Sequence, residues 1–302
     1  MITSMQQLLT EAANRGKKTL AVAVANDRHV LEAVHLAAEK GIVDPVLVGE
    51  KGAIENTLEA LNIAKDRYEI VDVKDPTEAC EKAVDVAAKD EKAFLMKGFV
   101  DTALILRAAL DKEKGLRTKN RLSHVSVMEI PTYHKLLLMS DGAMNIDPDV
   151  DIKQEIVENG VVIARALGID TPSVGVIAAI EKVNPKMQAT LDAQTLIERN
   201  KKNVIEHCTI GGPFALDNAI DKDAAKLKGV ADPIAGDVDF ILMPQIESGN
   251  VFYKAMMFLA NAKSASVIAG AKKPIVLTSR ADTTESKLYS IALSALVADG
   301  PQ

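Results

Sequence analysis

The chain has 302 residues, a formal net charge of -6, 48% hydrophobic residues and no tryptophan. Its length allows two domains of ordinary size, and the hydrophobic residues are numerous enough to fill their cores. An acidic chain without tryptophan lacks the basic surface and the aromatic stacking residues that bind nucleic acid, so nucleic acid is not expected as a partner.

The apolar segments and the cysteines indicate the cellular location of the protein. No apolar run reaches the roughly 20 residues of a membrane span. The first residues lack the basic start and apolar core of a signal peptide. The two cysteines, Cys80 and Cys208, have no C-x-x-C spacing, which argues against a disulfide framework or a zinc site. These features predict a cytoplasmic protein with no membrane partner.

Apolar runs typical of strands alternate with helical patterns through the first half of the chain. The predicted strands are 19–26, 43–50, 68–73, 93–98 and 125–130, and helices are predicted at 78–89 and 101–112. Continuous apolar strands separated by helices are typical of parallel βαβ units whose sheet is covered on both faces.

A second series of elements follows the segment KLLLMSDGAMNIDPD (135–149), whose turn-forming end favours a domain crossing. Its predicted helices are 152–167, 187–201 and 250–262, and its predicted strands are 173–180, 239–246 and 266–270. The predicted fold class is therefore α/β, with two α/β/α lobes and mainly parallel sheets. Ligands are expected in the cleft at the carboxyl ends of strands.

The first of three notable strand-to-helix turns is MKGFVDT (96–102), which opens the helix that carries Arg107. The free N–H groups and positive dipole of a helix N-terminus favour an oxyanion there, with Lys97 and Arg107 as candidate ligands. The alternative is that Asp101 or Thr102 only caps the helix, with Arg107 a solvated helix residue.

The second turn is QIESGN (245–250), between a predicted strand and a predicted helix. Ser248 or Asn250 could cap this helix, and Gly249 would permit a positive φ or the close approach of a ligand. Gly249 and Asn250 are therefore candidate substrate-binding residues beside the capping alternative.

The third turn is SRADTTE (279–285), at the end of the last predicted strand. A capping box, with Asp282 as first residue and Glu285 as fourth, would explain both carboxylates. It does not explain Ser279 and Arg280 at a strand end, where a guanidinium suits bidentate binding of phosphate or carboxylate.

The remaining residues with catalytic chemistry form no recognisable site. The histidines His124, His134 and His207 have no metal-ligand spacing. Cys208 is adjacent to His207, but neighbouring side chains on a strand point to opposite faces, so a buried inert thiol is predicted. The chain lacks G-x-G-x-x-G, P-loop and G-x-S-x-G motifs, which weighs against a Rossmann dinucleotide site, a Walker NTPase and an α/β-hydrolase.

Four stretches, in order from about residue 90 onward, resemble the phosphate acetyl/butyryltransferase family. They are MSDGAMNIDPDVDIKQEIVENGV, GPFALDNAI, ADPIAGDVDFILMPQIESGNVFYKAMMFLANAKSA and KKPIVLTSRADTTESK. The variant S-R-A-D-T, in place of the S-R-G-C-S typical of phosphate acetyltransferases, resembles the phosphate butyryltransferase branch.

The resemblance implies a fold like that of isocitrate and isopropylmalate dehydrogenases. Residues 1–138 and 273–302 would form one lobe and 139–272 the other, with the active site between them. It also implies reversible acyl transfer between coenzyme A and inorganic phosphate, by direct attack of the CoA thiolate on the acyl phosphate. CoA would be a substrate, with no metal and no tightly bound cofactor, and the protein would be a homo-oligomer, a dimer or larger.

The resemblance also assigns roles by residue. Ser279 and Arg280 match the family's phosphate-binding S-R pair, and Arg107 resembles its second phosphate-binding arginine. The family's thiol base is an aspartate several residues after S-R; that spacing falls near Glu285, which we favour over the earlier Asp282. The further substrate-binding candidates are Thr283, Lys97, Gly249 and Asn250.

Three alternatives stay open at this point. A phosphate acetyltransferase would use the same chemistry. A metal- and NAD-dependent decarboxylating dehydrogenase would share the fold, and a non-catalytic sensor of CoA or acyl phosphate would keep the anion sites without a base.

Overall fold

The computed structural model describes residues 1–279 and 282–300. The helices are α1 (Met5–Asn14), α2 (Arg28–Glu39), α3 (Lys51–Ala60), α4 (Pro76–Lys89), α5 (Thr102–Ala109), α6 (Val150–Ala166), α7 (Gln188–Lys201), α8 (Leu216–Ile220), α9 (Lys222–Leu227), α10 (Ile246–Phe258) and α11 (Thr284–Ala298). The strands are β1 (Lys18–Ala23), β2 (Val43–Gly49), β3 (Glu69–Asp72), β4 (Phe94–Lys97), β5 (Ser123–Glu129), β6 (Leu137–Ser140), β7 (Ser173–Ile177), β8 (Thr209–Phe214), β9 (Phe240–Leu242), β10 (Lys263–Ala269) and β11 (Ile275–Val276).

The chain divides into two compact units. The split unit comprises Met5–Asn120 and Ala265–Gly300, and the central unit comprises Arg121–Ser264 with Met1–Ser4. The family resemblance implied crossings at 138/139 and 272/273, later than these boundaries. The difference at the first crossing arises because β5 pairs with β6 in antiparallel register, with Ser126 opposite Met139, so both strands lie in the central unit.

The sheet of the split unit has the strand order β3-β2-β1-β4-β11-β10. Neighbours from β3 to β11 are parallel, and β10 is antiparallel to β11. All four residues of β4 are buried and β1 is buried at all but one position, so both faces of the sheet centre are covered. This is the burial expected of continuous apolar strands in βαβ units.

Aspartate caps begin three helices of the split unit. The side chains of Asp27, Asp75 and Asp101 accept hydrogen bonds from the backbone N–H groups of Val30, Glu78 and Ala103. Each bond satisfies one of the N–H groups that a helix start leaves without a partner. The capping role considered for Asp101 is therefore confirmed.

The C-terminal helix α11 lies inside the split unit. Every residue from Ser286 to Leu296 is buried, and α11 packs against α1 and α2. A helix covered on all sides needs no polar face, which explains the nearly continuous apolar sequence LYSIALSALVA.

The central unit has the strand order β5-β6-β9-β7-β8. The strands β6, β9, β7 and β8 are mutually parallel, so their carboxyl ends meet at one edge. The core on this sheet includes Met139, Ile177, Phe214 and Ile241. In the two described ranges, 1–279 and 282–300, no helix is long and apolar enough to span a bilayer.

Candidate active site

A small cavity of about 20 Å³ lies in the split unit where β4 and β11 end. These strands are parallel neighbours, with Val276 opposite Met96, so the turns that follow them meet at one edge of the sheet. The cavity is lined by Asp27, Val30, Lys97, Gly98, Phe99, Thr278, Ser279 and Lys287. The structure thus brings together two predicted site residues, Lys97 and Ser279.

Lys97 is held in place by the backbone of its own turn. Its side chain is buried, and its Nζ donates to the carbonyl oxygens of Val100 at 3.1 Å and Gly98 at 3.4 Å. A Cβ on Gly98 would lie 2.2 Å from the carbonyl oxygen of Val24, so only glycine fits here. Gly98 therefore lets the backbone after β4 pack closely against Val24, and the Lys97 ammonium group is held at the end of β4.

The turn that follows β11 is closed by Asp282. Its Oδ2 accepts from the backbone N–H of Ser279 at 2.7 Å, and its own N–H donates to the Ser279 carbonyl at 3.1 Å. Lys287 donates to the carbonyl oxygens of both residues, at 3.3 Å to Ser279 and 2.5 Å to Asp282. Arg280, the strongest candidate from the sequence, lies outside the described residues.

The capping box considered as the alternative for Asp282 and Glu285 is not formed. The N-cap of α11 is Thr283, whose hydroxyl accepts from the N–H of Ser286 at 3.1 Å. Asp282 comes one residue too early and accepts from Ser279 instead. Glu285 lies in the first helical turn, exposed, and accepts a hydrogen bond from the Tyr289 hydroxyl at 2.6 Å.

Arg107 occupies a different groove of the same unit. It is exposed on α5 and lines a cavity of about 440 Å³ between α4 and α5. Charged residues of both signs share that groove, among them Glu81, Lys82 and Asp85. Arg107 is therefore not among the residues that line the small cavity with Lys97 and Ser279.

Gly249 and Asn250 lie in the central unit, in the first turns of α10. This helix begins at Ile246, earlier than predicted, and its N-cap is Gln245 without a side-chain bond, so capping by Ser248 or Asn250 is wrong. A Cβ on Gly249 would lie 2.2 Å from the Asp141 carbonyl oxygen. Asn250 donates through Nδ2 to the Gly142 carbonyl at 3.1 Å. Both residues fasten α10 to the loop after β6.

We expect Gly249→Ala to destabilise the protein by about 1–3 kcal/mol, because overpacking forces the backbone of α10 away from the Asp141 carbonyl. Chemical denaturation measures the free energy of unfolding. Gly52→Ala is the matched control, since nothing lies within 4 Å of a Cβ at Gly52 of α3. Equal unfolding free energies for Gly249→Ala and the unaltered protein would contradict the close contact.

Asp141 is a residue of this loop that sequence reasoning missed. It is buried, and its Oδ1 accepts from the N–H groups of Ala143 at 2.8 Å and Met144 at 3.0 Å. Its Oδ2 accepts from Asn145 Nδ2 at 2.7 Å. The spacing D-G-A-M-N, in which an aspartate is followed by small residues and an asparagine, could have indicated this turn.

A larger cavity, of about 550 Å³, lies in the central unit where β7 and β9 end. Its lining is mainly apolar and includes Pro148, Ala178 and Pro244. The ion pair between Lys153 Nζ and Asp192 Oδ2, 2.5 Å apart and almost completely buried, also borders it. Apolar walls with a few polar groups at strand ends are typical of small-molecule sites.

The cysteines are unsuited to nucleophilic catalysis. Burial raises the pKa of the Cys208 thiol to about 11, and the nearby Glu158 carboxylate adds to the effect. The pKa of the buried Cys80 thiol is raised to about 11 for the same main reason. A thiol with such a pKa is almost entirely protonated near neutral pH. The predicted burial of Cys208 is confirmed.

The model of one protein family, described as phosphate acetyl/butaryl transferase, matches residues 4–94 and 77–295. The chain belongs to this family. A phosphate acetyltransferase of Thermotoga maritima is 46% identical over 294 residues, which cover 97% of this chain and 99% of that relative. A phosphate butyryltransferase of Clostridium beijerinckii is 43% identical over 298 residues, 99% of each chain.

Among solved structures, a branched-chain phosphotransacylase from Enterococcus faecalis V583 matches with a TM-score of 0.82 at 30% identity. The match covers 94% of this chain and 99% of that chain. The predicted α/β fold class and the family resemblance are both confirmed. Membership of the phosphate acetyl/butaryl transferase family makes the protein an acyltransferase that acts with phosphate.

Proposed function

We propose that this phosphate acyltransferase moves a short-chain acyl group, preferably butyryl, reversibly between coenzyme A and inorganic phosphate. The observation that carries the proposal is that Lys97 and Ser279, the first residue of the S-R sequence, line one cavity where β4 and β11 end. Basic and hydroxyl groups at the carboxyl edge of a parallel sheet suit a phosphate group.

The reaction is a direct displacement at the carbonyl carbon of the acyl phosphate. The CoA thiolate forms the new C–S bond while the C–O bond to phosphate breaks, and phosphate leaves with the electron pair. A thiol of pKa about 8.5 is only a few per cent thiolate at about pH 7, so a carboxylate that accepts its proton speeds the step. We assign this role to Glu285 ahead of Asp282.

The anionic substrate is held by the residues that follow the two strands. Arg280 and Ser279 bind the phosphoryl oxygens, and Lys97 adds positive charge beside them. Thr283 and Arg107 are further substrate-binding candidates, and Gly249 and Asn250 set the position of the loop after β6. CoA is a substrate here, and the reaction requires no metal and no tightly bound cofactor.

Release of free CoA from acyl-CoA, followed with a thiol reagent, tests this function. Acetyl-, butyryl- and longer acyl-CoAs are compared with and without inorganic phosphate. We expect phosphate-dependent release with the highest kcat/KM for butyryl-CoA, because each methylene in a fitting apolar pocket contributes about 1–3 kcal/mol.

Phosphate-independent release, or no release with any chain length, would overturn the proposal. If kcat/KM for acetyl-CoA equals or exceeds that for butyryl-CoA, the phosphate acyltransferase activity is supported and the butyryl preference is rejected. Binding of acyl-CoA without turnover would identify a sensor instead. The cytoplasmic location stays a prediction from the sequence.

Helix α10 supports a homo-oligomer. Gly249 is the only buried residue of its 13. The apolar side chains Val251, Phe258 and Leu259 are 68%, 74% and 85% exposed and share one side of the helix by their spacing. Lys254 also lies on this side, with its Nζ 5.9 Å from the centre of the Phe258 ring. Exposed apolar side chains grouped on one side of a helix mark interaction sites. We therefore propose that α10 pairs with α10 of a second copy, since a two-fold axis apposes identical patches.

We expect Phe258→Glu to convert the oligomer to monomers, because it places a charge within the paired apolar surface. Light scattering coupled to size-exclusion chromatography measures the mass. Leu227→Glu is the matched control, since Leu227 is 88% exposed on a different helix, α9. A monomeric unaltered protein, or an oligomer that survives Phe258→Glu, would contradict the pairing.

A further inference from the structure

Lys287 is a buried ammonium group that neither the sequence nor the family resemblance singled out. It lies in the first turns of α11 with only 3% of its surface exposed. Its Nζ donates to the carbonyl oxygens of Ser279 and Asp282. These two residues flank Arg280 in the sequence.

A buried lysine costs free energy unless hydrogen bonds compensate the lost hydration. Two hydrogen bonds compensate the lost hydration of Lys287, and both go to backbone carbonyl oxygens, those of Ser279 and Asp282. The Asp282 side chain already closes that turn on Ser279. Lys287 adds a different constraint, since its two hydrogen bonds join Ser279 and Asp282 to α11.

The charges around Lys287 come from three elements. Asp27 caps α2, Lys97 ends β4, and both line the small cavity with Lys287; Asp282 belongs to the turn itself. Burial lowers the pKa of Lys287 below its usual value, and the carboxylates of Asp282 and Asp27 oppose this shift without cancelling it. The ammonium group therefore loses its proton at a lower pH than an exposed lysine would.

We propose that Lys287 is a positioning residue for acyl transfer: it holds Ser279 and Asp282 against α11, so that Ser279 is kept at the cavity that Lys97 also lines. The inference rests on the proposed function, because positioning has a purpose only if the S-R pair binds phosphate. Deprotonation of Lys287 removes the positive charge and one of the three N–H donors, which weakens the hydrogen bonds to the two carbonyl oxygens. Activity then falls in alkaline solution.

The first test compares Lys287→Met and Lys287→Arg with the exposed control Lys89→Met, using phosphate-dependent CoA release. Lys287→Met is expected to lower kcat by about 10–100-fold with a smaller change in KM for acyl-CoA, because small misplacements of reacting groups have effects of this size. The arginine of Lys287→Arg stays charged at every pH at which the enzyme is assayed. This variant is therefore expected to recover part of kcat and to lose the fall in kcat that the wild-type protein shows at alkaline pH.

The second test does not depend on activity. Hydrogen exchange of the Ser279 amide, which donates to Asp282, is expected to be at least about tenfold faster in Lys287→Met and unchanged in Lys89→Met. An inactive wild-type protein would overturn the proposed function, while the exchange result would still report whether Lys287 holds the turn.

The outcomes separate positioning from a purely structural role. A Lys287→Met protein whose thermal midpoint changes but whose kcat stays within twofold overturns the proposal, as does unchanged exchange at Ser279. If Lys287→Met does not fold, the Lys287→Arg profile decides, since an alkaline limb identical to the wild type excludes titration of Lys287 as its origin.

Discussion

Replacement of Arg280 by lysine is expected to lower kcat/KM for phosphate-dependent CoA release by about 10²-fold or more, with the fold unchanged. Lysine keeps the charge but loses the planar pair of N–H donors that binds two phosphate oxygens at once. The preceding residue supports this role, because Ser279 lines the small cavity together with Lys97. The effect is measured with butyryl-CoA at varied phosphate.

Arg117→Lys is the matched control, since Arg117 is exposed in the same unit and lines none of the three cavities described here. It is expected to retain wild-type kcat/KM. Near-native kcat/KM for Arg280→Lys would rule out bidentate phosphate binding by this residue.

Glu285→Gln is expected to lower kcat by about 10²–10⁴-fold near pH 7, because an amide cannot accept the thiol proton. The fold should persist, since Thr283 caps α11 and the glutamine oxygen can still accept from the Tyr289 hydroxyl. The loss should shrink as the pH approaches the thiol pKa of about 8.5, where the thiolate forms without a base. Initial rates of acyl-CoA formation from acyl phosphate and CoA, from about pH 6 to 9, measure the loss, because the thiol is the attacking group in that direction.

Asp282→Asn is the comparison that distinguishes the two carboxylates. Its amide oxygen can still accept from the Ser279 N–H, so the turn should stay closed. A rate loss confined to Asp282→Asn would assign the base to Asp282. Full activity of both variants across the pH range would place the base elsewhere.

The sequence was sufficient to predict the elements that depend on residues close together in the chain. Continuous apolar runs gave the strands β1 and β4, and their burial on both faces follows from that pattern. The cap at Asp101 was also predictable, because the capping residue and its N–H partner are neighbours in the chain. The family resemblance then identified the chemistry from motifs that periodicity alone does not interpret.

The sequence failed where a distant contact decides the structure. The S-G-N sequence before Val251 suggested a turn, but Gly249 lies within a helix, where its missing side chain admits the carbonyl of Asp141, a residue far away in the chain. The capping box failed because Asp282 already accepts from Ser279. Lys287 was missed because a lysine in a helix is usually solvated, and only its burial beside the turn reveals its two carbonyl partners.

The division of the split unit between two distant chain segments affects how the protein is made. As the chain leaves the ribosome, residues 5–120 emerge first, yet β11, which flanks β4, and α11, which packs on α1 and α2, emerge only after residue 265. Until then one edge of β4 has no hydrogen-bonding neighbour, which exposes it to pairing with other chains. The central unit, almost continuous in sequence, is complete earlier. Because Ser279 and Lys287 lie in the late segment, a chain whose synthesis stops before it cannot form the cavity and should be inactive, however well its central unit folds.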